Sequence, residues 1–143
     1  MMKYFALISA LAATAYGVAY HCETSCNDND NSILADCSTA QLDIPTTDSA
    51  SGTDNTNWIS DTCRIDFFPN GESVDYSVLS EYAENLLNKC CGEGTDGEAA
   101  CAGIAQDDGD PMTLGGGCIC VHNKSVAPCD CAAAETDNFI NCT

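Results

Sequence analysis

The side chains here that could do chemistry are two histidines, 22 carboxylates and 12 cysteines. Hydrolysis by a nucleophilic serine needs an imidazole held between that serine and a carboxylate. His21 sits at the expected start of the mature chain. His122 follows the apolar run Cys118-Ile119-Cys120-Val121, so it is the candidate general base. No G-x-S-x-G elbow accompanies it. A carboxylate pair could cleave glycosides, but among 22 acids some pair always lies close, so acidity singles none out. Gly115-Gly116-Gly117 is not a phosphate loop, since no lysine follows and the surroundings are acidic. On these grounds no catalytic residue is assigned and no cofactor is expected.

The cysteines are Cys22, Cys26, Cys37, Cys63, Cys90, Cys91, Cys101, Cys118, Cys120, Cys129, Cys131 and Cys142. An even number in a short exported chain predicts a disulfide framework. Two C-x-C pairs and Cys90-Cys91 also suggest a thiolate cluster. Such clusters belong to reducing compartments and chains without an apolar core, whereas 45% of this chain is apolar. Zinc spacings and C-x-x-C are both missing, so neither a zinc site nor thiol exchange is expected. Asp28, Asp30, Ser32 and Asp36 have the spacing of a calcium loop, but Ile33 stands where glycine is needed and Thr39 where glutamate is. Weak calcium capture there, or at Asp107, Asp108 and Asp110, is the alternative to solvated turns. The expected set of metal ligands is empty.

These groups need elements to position them. Cys63, Ile65 and Phe67 alternate with Arg64 and Asp66, which predicts a strand over 63–68 that ends at Pro69-Asn70-Gly71. Glu72–Asp75 is a candidate short return strand. Val78, Leu79, Tyr82, Ala83, Leu86, Leu87 and Cys90 form one apolar stripe, predicting a helix over 76–91 capped by Asp75 or Ser77 and closed by Gly92. Cys90 continues that stripe and should staple the helix end to the core, while Cys91 points elsewhere. Thr95-Asp96-Gly97-Glu98 has capping-box spacing before 99–105, a second and shorter helix. Cys118 to Val121 reads as a buried strand whose two cysteines share a face and tie it to two neighbours. A last strand is expected near 137–142. Residues 38–62, rich in Ser, Thr and Asp, read as a long irregular loop tacked down by Trp58.

Lys3 and the apolar run Tyr4–Ala15 form a signal peptide, too short to span a bilayer. Cleavage is expected after Ala19, with Gly17 the alternative, leaving one secreted domain over 20–143. Net charge is −18, and losing Lys3 makes it −19. That field repels phosphate backbones and anionic lipid, so neither nucleic acid nor membrane is an expected partner. The expected partner is an extracellular protein or carbohydrate, met by a monomer. Asn123-Lys124-Ser125 is the favoured N-glycosylation sequon over Asn141-Cys142-Thr143.

The run Cys63-Arg64-Ile65-Asp66-Phe67-Phe68, then 76–91, then Cys118-Ile119-Cys120-Val121 resembles fungal small secreted cysteine-rich proteins. It is similar in part to the killer-toxin family of smut fungi. That resemblance, over about half the chain, implies an α/β sandwich with a helix ending in cysteine. Channel block by basic residues is not carried over, because only Arg64, Lys89 and Lys124 are basic beyond Lys3. The reading is an α+β domain, an antiparallel sheet on one main helix with about six disulfides. It acts outside the cell by binding, effector-like or toxin-like. The alternatives are a small carboxylate-dependent hydrolase with His122 as base, and a cell-surface or cell-wall structural protein.

Overall fold

A computed structural model describes residues 17–23, 33–91, 101–108, 112–126 and 129–133. The elements are β1 (Gly17–Cys22), α1 (Ile33–Leu42), β2 (Ser49–Ala50), β3 (Thr56–Ser60), β4 (Cys63–Phe68), β5 (Val74–Asp75), α2 (Tyr76–Cys90), β6 (Gly103–Asp108) and β7 (Cys118–Asn123), then one turn of 3-10 helix at Cys131–Ala133. Five strands form an antiparallel sheet in the order β1-β6-β7-β4-β3, and β2 pairs with β5. This is the α+β, disulfide-rich architecture expected. Among the described residues no helix is long and apolar enough to cross a membrane.

Both helices cover one sheet face. On α2, Leu79, Ala83, Leu86, Leu87 and Cys90 are buried, the stripe its periodicity requires. Asp75 is the N-cap residue, but its side chain does not cap the helix. Its carboxylate accepts the Ser49 hydroxyl at 2.6 Å, across the β2–β5 ladder. Ile65, Phe67, Ile119, Val121 and Ala105 meet the helices from the sheet. Trp58 packs edge-on to Tyr76, with ring centres 6.0 Å apart.

Residues 38–62 are not irregular throughout: they hold the end of α1, then β2 and β3. Ile33, Cys37 and Ala40 bury one narrow line along α1. Ser38 and Thr39 return their hydroxyls to the carbonyls of Leu34 and Ala35 four residues back, so polar side chains are absorbed by the helix itself. The shorter second helix is therefore α1. The helix expected over 99–105 gives way to β6 from Gly103, and 92–100 lie outside the described residues. Gly103 faces the end of α2, where a Cβ would sit 2.6 Å from Cys90 Sγ. Its glycine is what lets the helix–sheet disulfide close. β1 begins at Gly17, before the expected mature start, and Val18 pairs with Asp107. The strand near 137–142 and the cap residue Gly92 lie outside the described residues.

Five disulfides join the described cysteines: Cys22–Cys90, Cys37–Cys63, Cys91–Cys101, Cys118–Cys131 and Cys120–Cys129. None of the described cysteines is free. Cys26 and Cys142 lie outside the described residues. Cys90 pins α2 to β1 and Cys91 takes a separate partner, as the helix geometry requires. Cys118 and Cys120 do not tie β7 to two neighbouring strands. Both reach one segment, 129–131, which lies over the sheet face away from the helices.

Candidate functional site

That second face holds the buried polar chemistry. β4 and β7 run antiparallel with Arg64 opposite His122 and Asp66 opposite Cys120. Alternation places Arg64, Asp66, Cys120 and His122 on the same side. The segment carrying Cys129 and Cys131, with Ile104, Ala102, Val126 and Phe68, closes over them. His122 is 0% exposed and Asp66 2%.

The Asp66 carboxylate is the centre. Arg64 Nε donates to both its oxygens, at 2.8 and 2.9 Å, and Arg64 Nη2 lies 2.8 Å from Oδ1. His122 Nε2 lies 2.7 Å from Oδ2, and His122 Nδ1 lies 2.8 Å from the Asn123 carbonyl. A carbonyl only accepts, so Nδ1 is the donor in the contact with Asn123. Burial pushes the Asp66 carboxyl up, but the hydrogen bonds and charges of His122 and Arg64 outweigh it and hold it below its ordinary 3.8. Among the described residues no buried side-chain nitrogen or oxygen lacks a partner.

Cys120, His122 and Cys129 bring their ligand atoms within 4.8 Å of one another. The set does not fit a metal. The two sulfurs are bonded to each other and both imidazole nitrogens face oxygens. His122 is equally unfit as a general base for an external substrate, having no exposed surface and no uncommitted nitrogen. It sits inside β7, not beside it. No family model, curated protein or solved structure matches this chain. Function therefore rests on the residues.

The remaining candidates are scattered. His21, on β1, lines a cavity of about 240 Å³ with Ala19, Gln106, Asp107 and Asp108. A second cavity, about 290 Å³, lies against Phe68, Asn70, Gly117 and Cys131. Asp36 accepts from the backbone and hydroxyl of Thr62. Asp107 accepts the backbone N–H groups of Leu114 and Gly116 at 2.9 Å each. Gly115 and Gly116 have φ of 60° and 73°, which aims those N–H groups at one anion. The glycine loop is an anion cradle filled by the protein's own carboxylate. Asp28, Asp30, Ser32 and Asp110 lie outside the described residues. Asn123, in the favoured sequon, ends β7, and its Oδ1 accepts the Ser125 N–H and hydroxyl at 2.9 and 2.8 Å.

Asp66 is the functional-looking residue that sequence reasoning missed. Its alternation with Ile65 and Phe67 reads as a solvent face. The available signal was Arg64-x-Asp66, two opposite charges on one strand face, beside a second strand rich in buried residue types.

Proposed function

We propose that this is a secreted, non-enzymatic cysteine-rich protein that acts outside the cell by binding, in the manner of an effector or toxin. The observation that carries the reading is the enclosure of His122. The histidine that the sequence singles out as a candidate base is fully buried, with its nitrogens spent on Asp66 and Asn123. Five disulfides fit an oxidising compartment and a scaffold that resists unfolding outside the cell. The chain is strongly acidic, with a net charge of −18, suited to recognition of a cationic surface.

The test uses the secreted protein, fluorescently labelled and titrated onto a panel of intact fungal, plant and animal cells. Binding should saturate and be displaced by unlabelled protein, and His122→Gln should bind like the parent once circular dichroism shows it folded. Turnover of a panel of ester and glycoside substrates that falls at least tenfold in His122→Gln would move the protein to the hydrolase alternative. Binding that never saturates would overturn the proposal.

A further inference from the structure

β3 is the last strand of the sheet and pairs only with β4. The two-residue turn Asp61-Thr62 closes the hairpin, so Ser60 and Cys63 form its first pair. In a hairpin of this kind the first pair is hydrogen-bonded and pairs then alternate. Ser60, Trp58 and Thr56 therefore turn their backbone groups toward β4. Asn57 and Ile59 turn theirs outward, away from the sheet. No hydrogen bond from another described residue reaches that outer side.

Edge strands are normally guarded by lysine, proline, a bulge or a covering element. Thr56-Asn57-Trp58-Ile59-Ser60 contains neither lysine nor proline, nor any charge. Asn57 is exposed, and Ile59 is 48% exposed, a large apolar side chain beside the open edge. Trp58 is buried, so the strand's backbone is held in place from the helix side. Exposed Asp54 and Asp61 flank the strand. The nearest cation, Arg64, opposite Ile59, is committed to Asp66.

The geometry points to β3 as a docking edge for an extended, lysine- or arginine-bearing peptide segment of an extracellular partner, added as a further antiparallel or parallel strand. Backbone groups of Asn57 and Ile59 supply the hydrogen bonds, Ile59 an apolar contact, and Asp54 and Asp61 the charge selection. A second copy of this chain is the wrong occupant. Each copy carries −18, or −19 once Lys3 is lost, and pairing would set like charges against each other. This inference rests on the binding reading above and names its site and partner chemistry.

The probe is a short acetylated, amidated peptide alternating lysine with valine, added to isotope-labelled full-length protein. The Asn57 and Ile59 amide signals should shift, and their hydrogen exchange should slow about tenfold or more. Affinity should fall with added salt as screening shortens. The same peptide with glutamate for lysine should not bind. Asn57→Pro removes an outward N–H at an edge position that tolerates proline, and Ile59→Lys adds the missing guard. Each should weaken the probe about tenfold or more. Shifts confined to other strands, equal binding of the glutamate peptide, or unchanged affinity in a folded Ile59→Lys protein would overturn the assignment. Cell binding separates the two claims. If Ile59→Lys binds cells like the parent, the edge is wrong and the binding reading stands. If the parent itself does not bind saturably, the binding reading falls.

Discussion

Replacing Asp66 by alanine removes the carboxylate that four contacts share. Arg64 can answer by swinging outward, because its side chain is 31% exposed. His122 cannot, because it is 0% exposed and fixed in the middle of the sheet. Its Nε2 is left facing the space where its partner stood, out of reach of water. Breaking a buried pair from one side costs about 3–5 kcal/mol, which for a domain of this size lowers Tm by roughly 10–20 °C. Trp58 is the only tryptophan and is buried beside Tyr76, so its fluorescence reports guanidinium unfolding with disulfides intact. The partner measurement replaces the whole cluster: Arg64→Met, Asp66→Leu and His122→Phe together. Removing all three side chains leaves no unpaired charge, and only the Asn123 carbonyl loses its His122 donor, so the triple variant should unfold within about 2 kcal/mol of the parent. A loss below about 1 kcal/mol in Asp66→Ala, or a triple variant as weak as the single one, would refute the claim that the cost is a buried polar partner left stranded.

Acid should act through the same residue. Asp66 is held below its ordinary 3.8, so the unfolded chain takes up that proton first. Its stabilisation is full above the unfolded value and drains away as pH falls through the folded one. Chemical denaturation from pH 6 downward should therefore show a steeper decline below about pH 4 in the parent than in Asp66→Asn. Removing Cys22–Cys90, 68 residues apart in sequence, should cost about 4 kcal/mol, against about 3 for Cys120–Cys129, nine apart. Paired alanine variants compared by denaturant midpoint check that order, and a reversal would mean loop closure is not the main term. N-terminal sequencing of secreted protein should begin at or before Val18, which pairs with Asp107 and packs on the core. A start at Tyr20 would contradict this. Glycosidase treatment of protein from a eukaryotic secretory host should remove mass from the Asn123 peptide, and Asn123→Gln should abolish that change.

The parts legible in the sequence were those whose side chains vary with the period of the element. α2 shows its stripe because exposed Glu81, Glu84 and Asn88 contrast with Leu79, Leu86 and Leu87. β4 and β7 show because both are dense in residues that favour burial. α1 hid because Ile33, Cys37 and Ala40 form too thin a line, among hydroxyls that normally signal loops. β1 hid because Gly17–Ala19 read as the end of a signal peptide, and β6 because alanine-rich 99–105 favours a helix locally. Pairing with β1 and β7 overrides that preference at Gly103–Asp108. The site was harder still. Nothing in the local pattern says that β4 is covered on both faces; that follows from Cys129 and Cys131, more than 60 residues later in the chain.

The same covering explains where the positive charge goes. Beyond Lys3 the chain has three cations. Arg64 is spent on Asp66, and Lys89 lies 4.5 Å over the Tyr20 ring, bridging α2 to β1. Only Lys124, on the exposed turn after β7, stands apart from such a pairing in the described surface. Several carboxylates are likewise turned inward: Asp66 to the buried cluster, Asp107 to the glycine loop, Asp36 to Thr62. Those that remain outside, including Asp54 and Asp61 beside β3, meet almost no internal counter-charge. A partner that neutralises them must bring its own cations. The disulfides keep the fold closed against the self-repulsion in the meantime. Charge and cross-linking thus bear on the same problem: the carboxylates left outside repel one another, and five disulfides among the described residues oppose the expansion that repulsion favours.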